Sequence, residues 1–395
     1  MKNISNYSIV LIGFSYTFLI INKIAFGITI GLGILVLLNK YKSIILKESK
    51  ILVKKINKFT IFLFSFFILS FSFSTVNSIE IYRSLQVLIY LILFMTLSLL
   101  IYIIFHRKKT ELDLLLKALS VSTLFNSILI FIYNITNYNS GELVMFKGYM
   151  NIISLITILN LYFFRSKLNF ISTILLVPNV LMTGSASSIL GILFGTIFCT
   201  VYLFFRRYVN SLVVKNFLIF FSFAALIVSS NIFLKNLPNK FDINSMTNFE
   251  FKIPINLIDV HRQIIWGFTI NKFHEKPLFG YGPDSSNFID GSQKDIGIQM
   301  TGDMNFIPSH PHNFFFELLL ETGLVGTIIF IIVLIYTNFR VYKINSSESF
   351  TIFLIFFNAY FWGSSLVNFS FWLGWWQGSY YLLLGLLSSK GFPKK

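Results

Sequence analysis

Cysteine is nearly absent from this 395-residue chain: there is one, Cys199, inside an apolar stretch. That excludes an intrachain disulfide and a thiolate metal cluster. Charge is also scarce, at 12% of residues against 55% hydrophobic and 18% aromatic, with a mean hydropathy of +0.73. A soluble globular domain carries about twice that share of charged residues. The apolar runs lack the ten-residue alternation of barrel strands, so the remaining membrane solution is a bundle of helices. Acid is the scarcer sign, 16 Asp and Glu against 32 Lys and Arg, giving a net charge of +16. The first apolar stretch follows Lys2 but has no small-residue cleavage site after it, so it reads as a span and not as a removable leader.

What is present is helix-length apolar sequence from one end to the other. Twelve spans are expected, at 6–22, 24–39, 59–76, 86–105, 113–133, 149–164, 168–184, 189–205, 216–234, 323–339, 350–367 and 371–389, each able to cross a hydrocarbon core of about 30 Å. The fold class is therefore all-α, a polytopic membrane protein with about 12 transmembrane helices. If the N-terminus is cytoplasmic, 22 of the 32 basic residues fall on cytoplasmic segments. The positive-inside bias then puts both termini in the cytoplasm. The basic excess is thus a topology signal and a contact for anionic membrane lipids, not a nucleic-acid footprint. The run from Lys40 to Lys58 reads as a solvated cytoplasmic face. Trp362, Trp372, Trp375, Trp376, Tyr380 and Tyr381 read as an external aromatic belt.

One connection is long: residues 235–322, on the non-cytoplasmic side between the ninth and tenth spans. It divides the chain into an N-terminal bundle (1–234), an external loop (235–322) and a C-terminal bundle (323–395). The loop holds six of the eight prolines and four of the five histidines. Long loops inside compact proteins are usually functional, and chemistry is expected here. Within it, "DVHRQIIWGFTINKFHEKPLFGYG" (Asp259 to Gly282) predicts an amphipathic helix capped by Asp259, with Ile264, Ile265, Phe268 and Phe273 on its apolar face. Arg262 and Trp266 share a side of that helix, which is expected to lie along the membrane–water boundary. Gly280, Gly282 and Pro283 then stop it.

Further on, "PSHPHNFFFELLLETGLVG" (Pro308 to Gly326) sets His310 and His312 before a helix. Pro311 keeps His310 out of helical geometry, and Asn313 is the expected cap. Asn313, Glu317 and Glu321 recur every four residues as one polar stripe on an apolar rod. Acids at such depth are costly and are therefore functional or paired with a cation. An imidazole base, an anion-favouring helix N-terminus and a guanidinium fork suit removal of a diphosphate leaving group while a hydroxyl is deprotonated.

These residues carry a resemblance. Arg262-x-x-x-Trp266, Pro277-Leu-x-Gly280-x-Gly282 and His310-x-His312-Asn313, followed by Glu317 and Gly323-x-x-Gly326, resemble the O-antigen ligase/polymerase family of bacterial envelope glycan assembly. "FKGYMNIISL" (Phe146 to Leu155) is a fainter likeness. The resemblance implies metal-independent, cofactor-free transfer of glycan from an undecaprenyl-diphosphate carrier to an acceptor hydroxyl, with a bacterial inner-membrane location. It implies that Arg262 binds diphosphate and that His312 is catalytic, with His310 beside it and Glu317 a further catalytic candidate. Asn313, Glu321, Trp266, Gly280 and Gly282 are expected to hold the acceptor or the structure. Family members often carry an arginine where "MTGSASSILG" has Ala186, so Lys147 or Arg83 is expected to supply the second phosphate ligand. The implied partners are the carrier-linked glycan, an acceptor glycan (a lipid-linked repeat for a polymerase, a lipid A core for a ligase), and the pathway's flippase and chain-length regulator. Two other classes remain open. A transporter is disfavoured by the lack of an internal repeat. A metal hydrolase would need His310 and His312 plus Asp303, Glu317 or His274.

Overall fold

The computed structural model describes residues 2–137, 146–206, 260–296, 304–345 and 347–391. Among them the chain is built of α-helices without a strand: α1 (Lys2–Gly13), α2 (Ser15–Ile21), α3 (Lys23–Lys40), α4 (Lys42–Lys55), α5 (Lys58–Val76), α6 (Ile81–Arg107), α7 (Lys109–Thr136), α8 (Lys147–Phe163), α9 (Lys167–Met182), α10 (Ala186–Phe205), α11 (Val260–Glu275), α12 (Phe314–Tyr342), α13 (Glu348–Ser365) and α14 (Gly374–Gly391). Six of them, α3, α5, α6, α7, α10 and α12, are long and apolar enough to cross a membrane. The protein is a multi-pass helical membrane protein.

Several expected spans take other forms. The first is broken, with α1 and α2 bent by 54°. The seventh, α9, is a 16-residue helix with Pro178 inside it, which removes an internal hydrogen bond. The ninth expected span, 216–234, and the cap Asp259 lie outside the described residues. The lysine-rich stretch after Lys40 is itself helical, forming α4, none of whose residues is fully buried.

Ion pairs and turns gather at two ends of the bundle. One face holds the ion pairs Lys40–Glu111 (3.9 Å), Arg107–Glu48 (2.9 Å) and Lys390–Asp113 (3.6 Å), with Arg206 against Glu348. The opposite face collects the turn between α5 and α6, the N-termini of α8, α10, α12 and α14, and the described parts of the long loop. The α5–α6 turn and the turns before α10 and α14 thus share a face with the histidine pair.

The aromatic belt is a correction. Trp362, Trp376 and Tyr380 are fully buried, and Trp372, Trp375 and Tyr381 are at most 8% exposed. They form the interior between α13 and α14, with Phe361 on Trp376 at 4.3 Å and Phe357 on Tyr380 at 4.9 Å. A tryptophan can leave the interface when its N–H finds a partner indoors. Here Trp376 donates to Ser365 Oγ at 2.8 Å, and Trp372 donates to a Glu321 carboxylate oxygen.

Candidate active site

The site is organised by a break in α12. Gly323 has φ +65°, outside helical geometry. The two hydrogen bonds that would run across the break, from Leu324 N to Leu320 O and from Val325 N to Glu321 O, are replaced. The loop 277–282 substitutes for both sides. Tyr281 N donates to Leu320 O (3.1 Å) and Gly282 N to Glu321 O (2.8 Å), while Leu324 N donates to Pro277 O (2.8 Å) and Val325 N to Leu278 O (3.2 Å). A buried backbone group without a partner is costly, so the loop satisfies four groups at the break. Ser74 Oγ adds a bond to Glu321 O at 2.9 Å.

This close approach explains the glycines. A Cβ on Gly280 would stand 2.4 Å from Glu321 C and 2.5 Å from Leu320 O. On Gly282 it would meet Ser78 Oγ at 2.0 Å, and on Gly323 it would meet Leu278 O at 2.2 Å. All three have positive φ, which only glycine adopts freely. The Pro-Leu-x-Gly-x-Gly turn and the Gly-x-x-Gly are two halves of one splice.

On this scaffold sits α11. It is more enclosed than a helix lying open at an interface: Ile264, Ile265, Phe268 and Thr269 are fully buried, and Gln263 and Trp266 are 1% exposed. Ile264 and Phe268 pack with Tyr281, Ile289, Phe306 and Ile307 on one side. Ile265 and Trp266 pack with Phe316 and Leu319 on the other. Trp266 Nε1 donates to Pro311 O at 2.9 Å. That bond clamps α11 against the residue between the two histidines. One turn earlier, the Arg262 guanidinium is near enough to disfavour a proton on His312.

The histidine rings lie 4.2 Å apart and converge on one backbone oxygen. Asn368 O accepts from His310 Nε2 at 2.7 Å and from His312 Nδ1 at 3.0 Å. A carbonyl only accepts, which fixes both tautomers. His310 then takes a hydroxyl proton from Ser309 on its Nδ1, at 2.9 Å, so both its nitrogens are occupied. His312 keeps Nε2 with its lone pair unengaged by any described residue. Burial first, then His310, pushes the His312 pKa down to about 3, against the opposing pull of the Asn368 carbonyl. Burial also lowers that of His310. His312 sits at φ +54°, a conformation costing on the order of 1–3 kcal/mol outside glycine, of the kind that clusters at active sites.

Asn368 is held from below. Its side chain donates to Ser187 Oγ at 3.1 Å, and Asn151 donates to the same hydroxyl at 2.9 Å. Ser185 Oγ donates to Lys147 O at 3.1 Å. The "GSASS" turn and the "FKGYMN" stretch therefore form the floor under the imidazoles. Lys147 is exposed at the start of α8, and Ala186 is exposed at the start of α10. Arg83 meets Asp284 at 2.7 Å and lies over the Phe288 ring at 5.2 Å. Burial raises the Asp284 pKa, while Arg83 and His310 pull it down.

The polar stripe forms as expected. Asn313 Oδ1 caps α12, accepting from Phe315 N (3.0 Å) and Phe316 N (3.1 Å). Glu317, fully buried, accepts from Ser370 Oγ (2.7 Å) and Phe371 N (2.5 Å). Its oxygens thus engage the 366–373 loop and not an imidazole. Glu321 accepts from Asp284 N (2.7 Å), Ser286 N (2.9 Å) and the Trp372 indole. Together the acids tie both loops flanking the histidines to α12. Among the described residues no three His, Cys, Asp or Glu side chains come together as a metal site; Asp303 lies outside them. Asn368 escaped the sequence reading because its contribution is a backbone oxygen. The only hint was the polar break "GSSLVNFS" between two apolar runs.

Comparison with known proteins bears on this arrangement. Residues 171–331, from α9 to the middle of α12, match the family model described as O-antigen ligase. Arg262, the glycine splice, both histidines and both buried acids fall inside the matched stretch, whereas Arg83, Lys147 and Asn368 lie outside it. Relatives named "Putative polysaccharide ligase" occur in Rickettsia conorii (33% identical over 122 residues, 30% of this chain and 29% of the relative), Rickettsia felis (33% over 122 residues, 30% and 29%) and Rickettsia typhi (31% over 123 residues, 29% and 28%). The match therefore spans less than a third of these relatives' length.

Proposed function

We propose that the protein transfers a glycan from an undecaprenyl-diphosphate carrier to an acceptor sugar hydroxyl at the outer face of the bacterial inner membrane, with both termini cytoplasmic. The observation that carries this reading is the pairing of a tautomer-fixed imidazole, His312, with the nearby guanidinium of Arg262. His312 Nε2 takes the proton of the acceptor hydroxyl. The resulting oxygen bonds to the anomeric carbon of the donor, and the bond from that carbon to the carrier phosphate breaks. The leaving diphosphate keeps the electron pair and is stabilised by Arg262 in a bidentate fork. The proton rests on His312 as an imidazolium until solvent removes it. A nitrogen that is hard to protonate in the empty site becomes a better base once a diphosphate anion lies beside it, because the anion favours the charged ring. Arg83 and Lys147 are the further cations for the phosphates. Asn313, Glu317 and Glu321 hold the framework.

The polymerase form of the reaction joins one carrier-linked repeat to another, and the divergence at Ala186 favours it. The ligase form moves a finished chain to a lipid A core or a protein, and the relatives' names favour that. The glycan profile of a deletion strain tests both. Single capped repeats mean a polymerase and long chains left on the carrier mean a ligase. Loss of lipid-linked repeats from the outer face would instead mean a transporter, and activity abolished by a chelator would mean a metal hydrolase.

A further inference from the structure

A cavity lies toward the end of α12 away from the histidines. It has a volume of about 500 Å³ and opens between α4, α5, α6, α12 and α14. Its wall is apolar, with Phe64, Phe67, Ile92, Leu99, Val341 and Leu384 among the lining. Its rim carries Arg340, an exposed guanidinium with no acidic partner among the described residues, and Lys343 stands one turn on with only the Phe339 ring beneath it. Thr337 Oγ1 also lines the cavity and is buried without a hydrogen-bond partner.

The depth of the cavity decides what fits it. Along α6 it runs from Tyr102 near the basic end to Ile92, ten residues, or roughly 15 Å at 1.5 Å per residue. That is half of a hydrocarbon core of about 30 Å, the reach of a chain anchored in a single leaflet. A donor whose diphosphate must meet Arg262 enters from the other face. Arg340 and Glu317 lie 23 residues apart on α12, on the order of 35 Å by the same rise. Arg107, Arg206 and Lys390 on this face are paired with acids, whereas Arg340 and Lys343 have no acidic partner among the described residues.

We infer that this cavity binds an anionic glycerophospholipid of the leaflet on the basic side, one acyl chain filling the apolar slot and the headgroup phosphate seated on Arg340 beside Lys343. Basic pockets between membrane helices take anionic headgroups by charge complementarity. The slot is within the usual volume range of small-molecule sites. A lipid there packs α5 and α6 against α12, the helix whose far end carries the histidine loop's cap and both buried acids. The choice of a resident lipid over the carrier donor rests on the proposed role of Arg262, whereas the binding test below does not read glycan transfer.

The test uses the full chain purified in mild detergent, with native mass spectrometry of bound lipid after adding phosphatidylglycerol or phosphatidylcholine of identical acyl chains. The wild type should prefer phosphatidylglycerol by roughly fivefold, which is what one basic side chain at an anionic surface supplies. Arg340→Gln, at an exposed position, should abolish the preference while leaving binding of the zwitterionic lipid unchanged. Leu384→Trp, which fills the slot, should reduce binding of both. Equal binding of the two lipids by the wild type, or a preference that survives Arg340→Gln, would overturn the inference. Should Leu384→Trp fail to fold, the Arg340→Gln comparison decides alone.

Discussion

Replacing Gly280 with alanine perturbs the splice at one atom. The residue has φ +68°, and the added Cβ would lie 2.4–2.5 Å from backbone atoms of Leu320 and Glu321. Neither neighbour is the end of a flexible side chain, so the loop or the helix must move. The left-handed backbone costs an L-residue roughly 1–2 kcal/mol. Displacing the loop weakens the bonds from Tyr281 N to Leu320 O and from Gly282 N to Glu321 O, and leaving one of those buried carbonyls unpaired costs about 1–3 kcal/mol. The sum, about 2–5 kcal/mol, is a large share of the 5–15 kcal/mol that typically separates folded from unfolded states. Fluorescence-detected melting in detergent, with limited proteolysis across residues 276–296, should show Gly280→Ala melting several degrees low and cut early. Gly148→Ala is the control, because its Cβ meets nothing within 4 Å. Equal melting and equal protease resistance for Gly280→Ala and wild type would refute the splice.

Other outcomes follow from the same geometry. With the His312 pKa depressed to about 3, the base form persists well below neutral pH. kcat/KM, which reports the free enzyme, should therefore stay flat from pH 8 to about 5, and a falling limb centred near the ordinary histidine value of about 6.5 would contradict the assignment. Trp266→Phe removes the donor to Pro311 O and should lower kcat/KM ten- to a hundredfold while the protein still folds, an effect of about 1–3 kcal/mol; wild-type turnover would show that the clamp does not matter. Glu317→Gln keeps one carboxyl-type oxygen for Ser370 or Phe371, whereas Glu317→Ala keeps none. Activity and melting temperature should both fall in the order wild type, Gln, Ala. A Gln variant as inactive as Ala, but with unchanged melting, would make Glu317 a chemical group and not a brace.

The helical class could be read from the sequence, because lipid forces apolar runs into helices. The cap at Asn313 and the stripe through Glu317 and Glu321 were equally legible, since both depend on spacing along one helix. What touches that stripe was not. The Glu321 oxygens accept from Asp284 and Ser286, residues 37 and 35 positions away, and no local pattern encodes a pairing at that distance. The tryptophans misled for a related reason. Their composition fits an interface, but partners on neighbouring helices decide whether an indole N–H can be buried. Asn368 was invisible because any residue supplies a carbonyl. His310 and His312 were visible as a pair, yet which of them retains a free nitrogen depends on where Ser309 and Asn368 fall.

The central claim is that His312 and Arg262 act together on a prenyl-diphosphate-linked donor. Its most direct test is single-turnover glycan transfer by purified protein in proteoliposomes, comparing wild type with His312→Ala, Arg262→Ala and the double variant, each first checked for wild-type melting. The account predicts that each single change abolishes transfer and that the double is no worse than either, because the two side chains serve one bond-breaking step. Near-normal transfer by a folded His312→Ala or Arg262→Ala protein would contradict it.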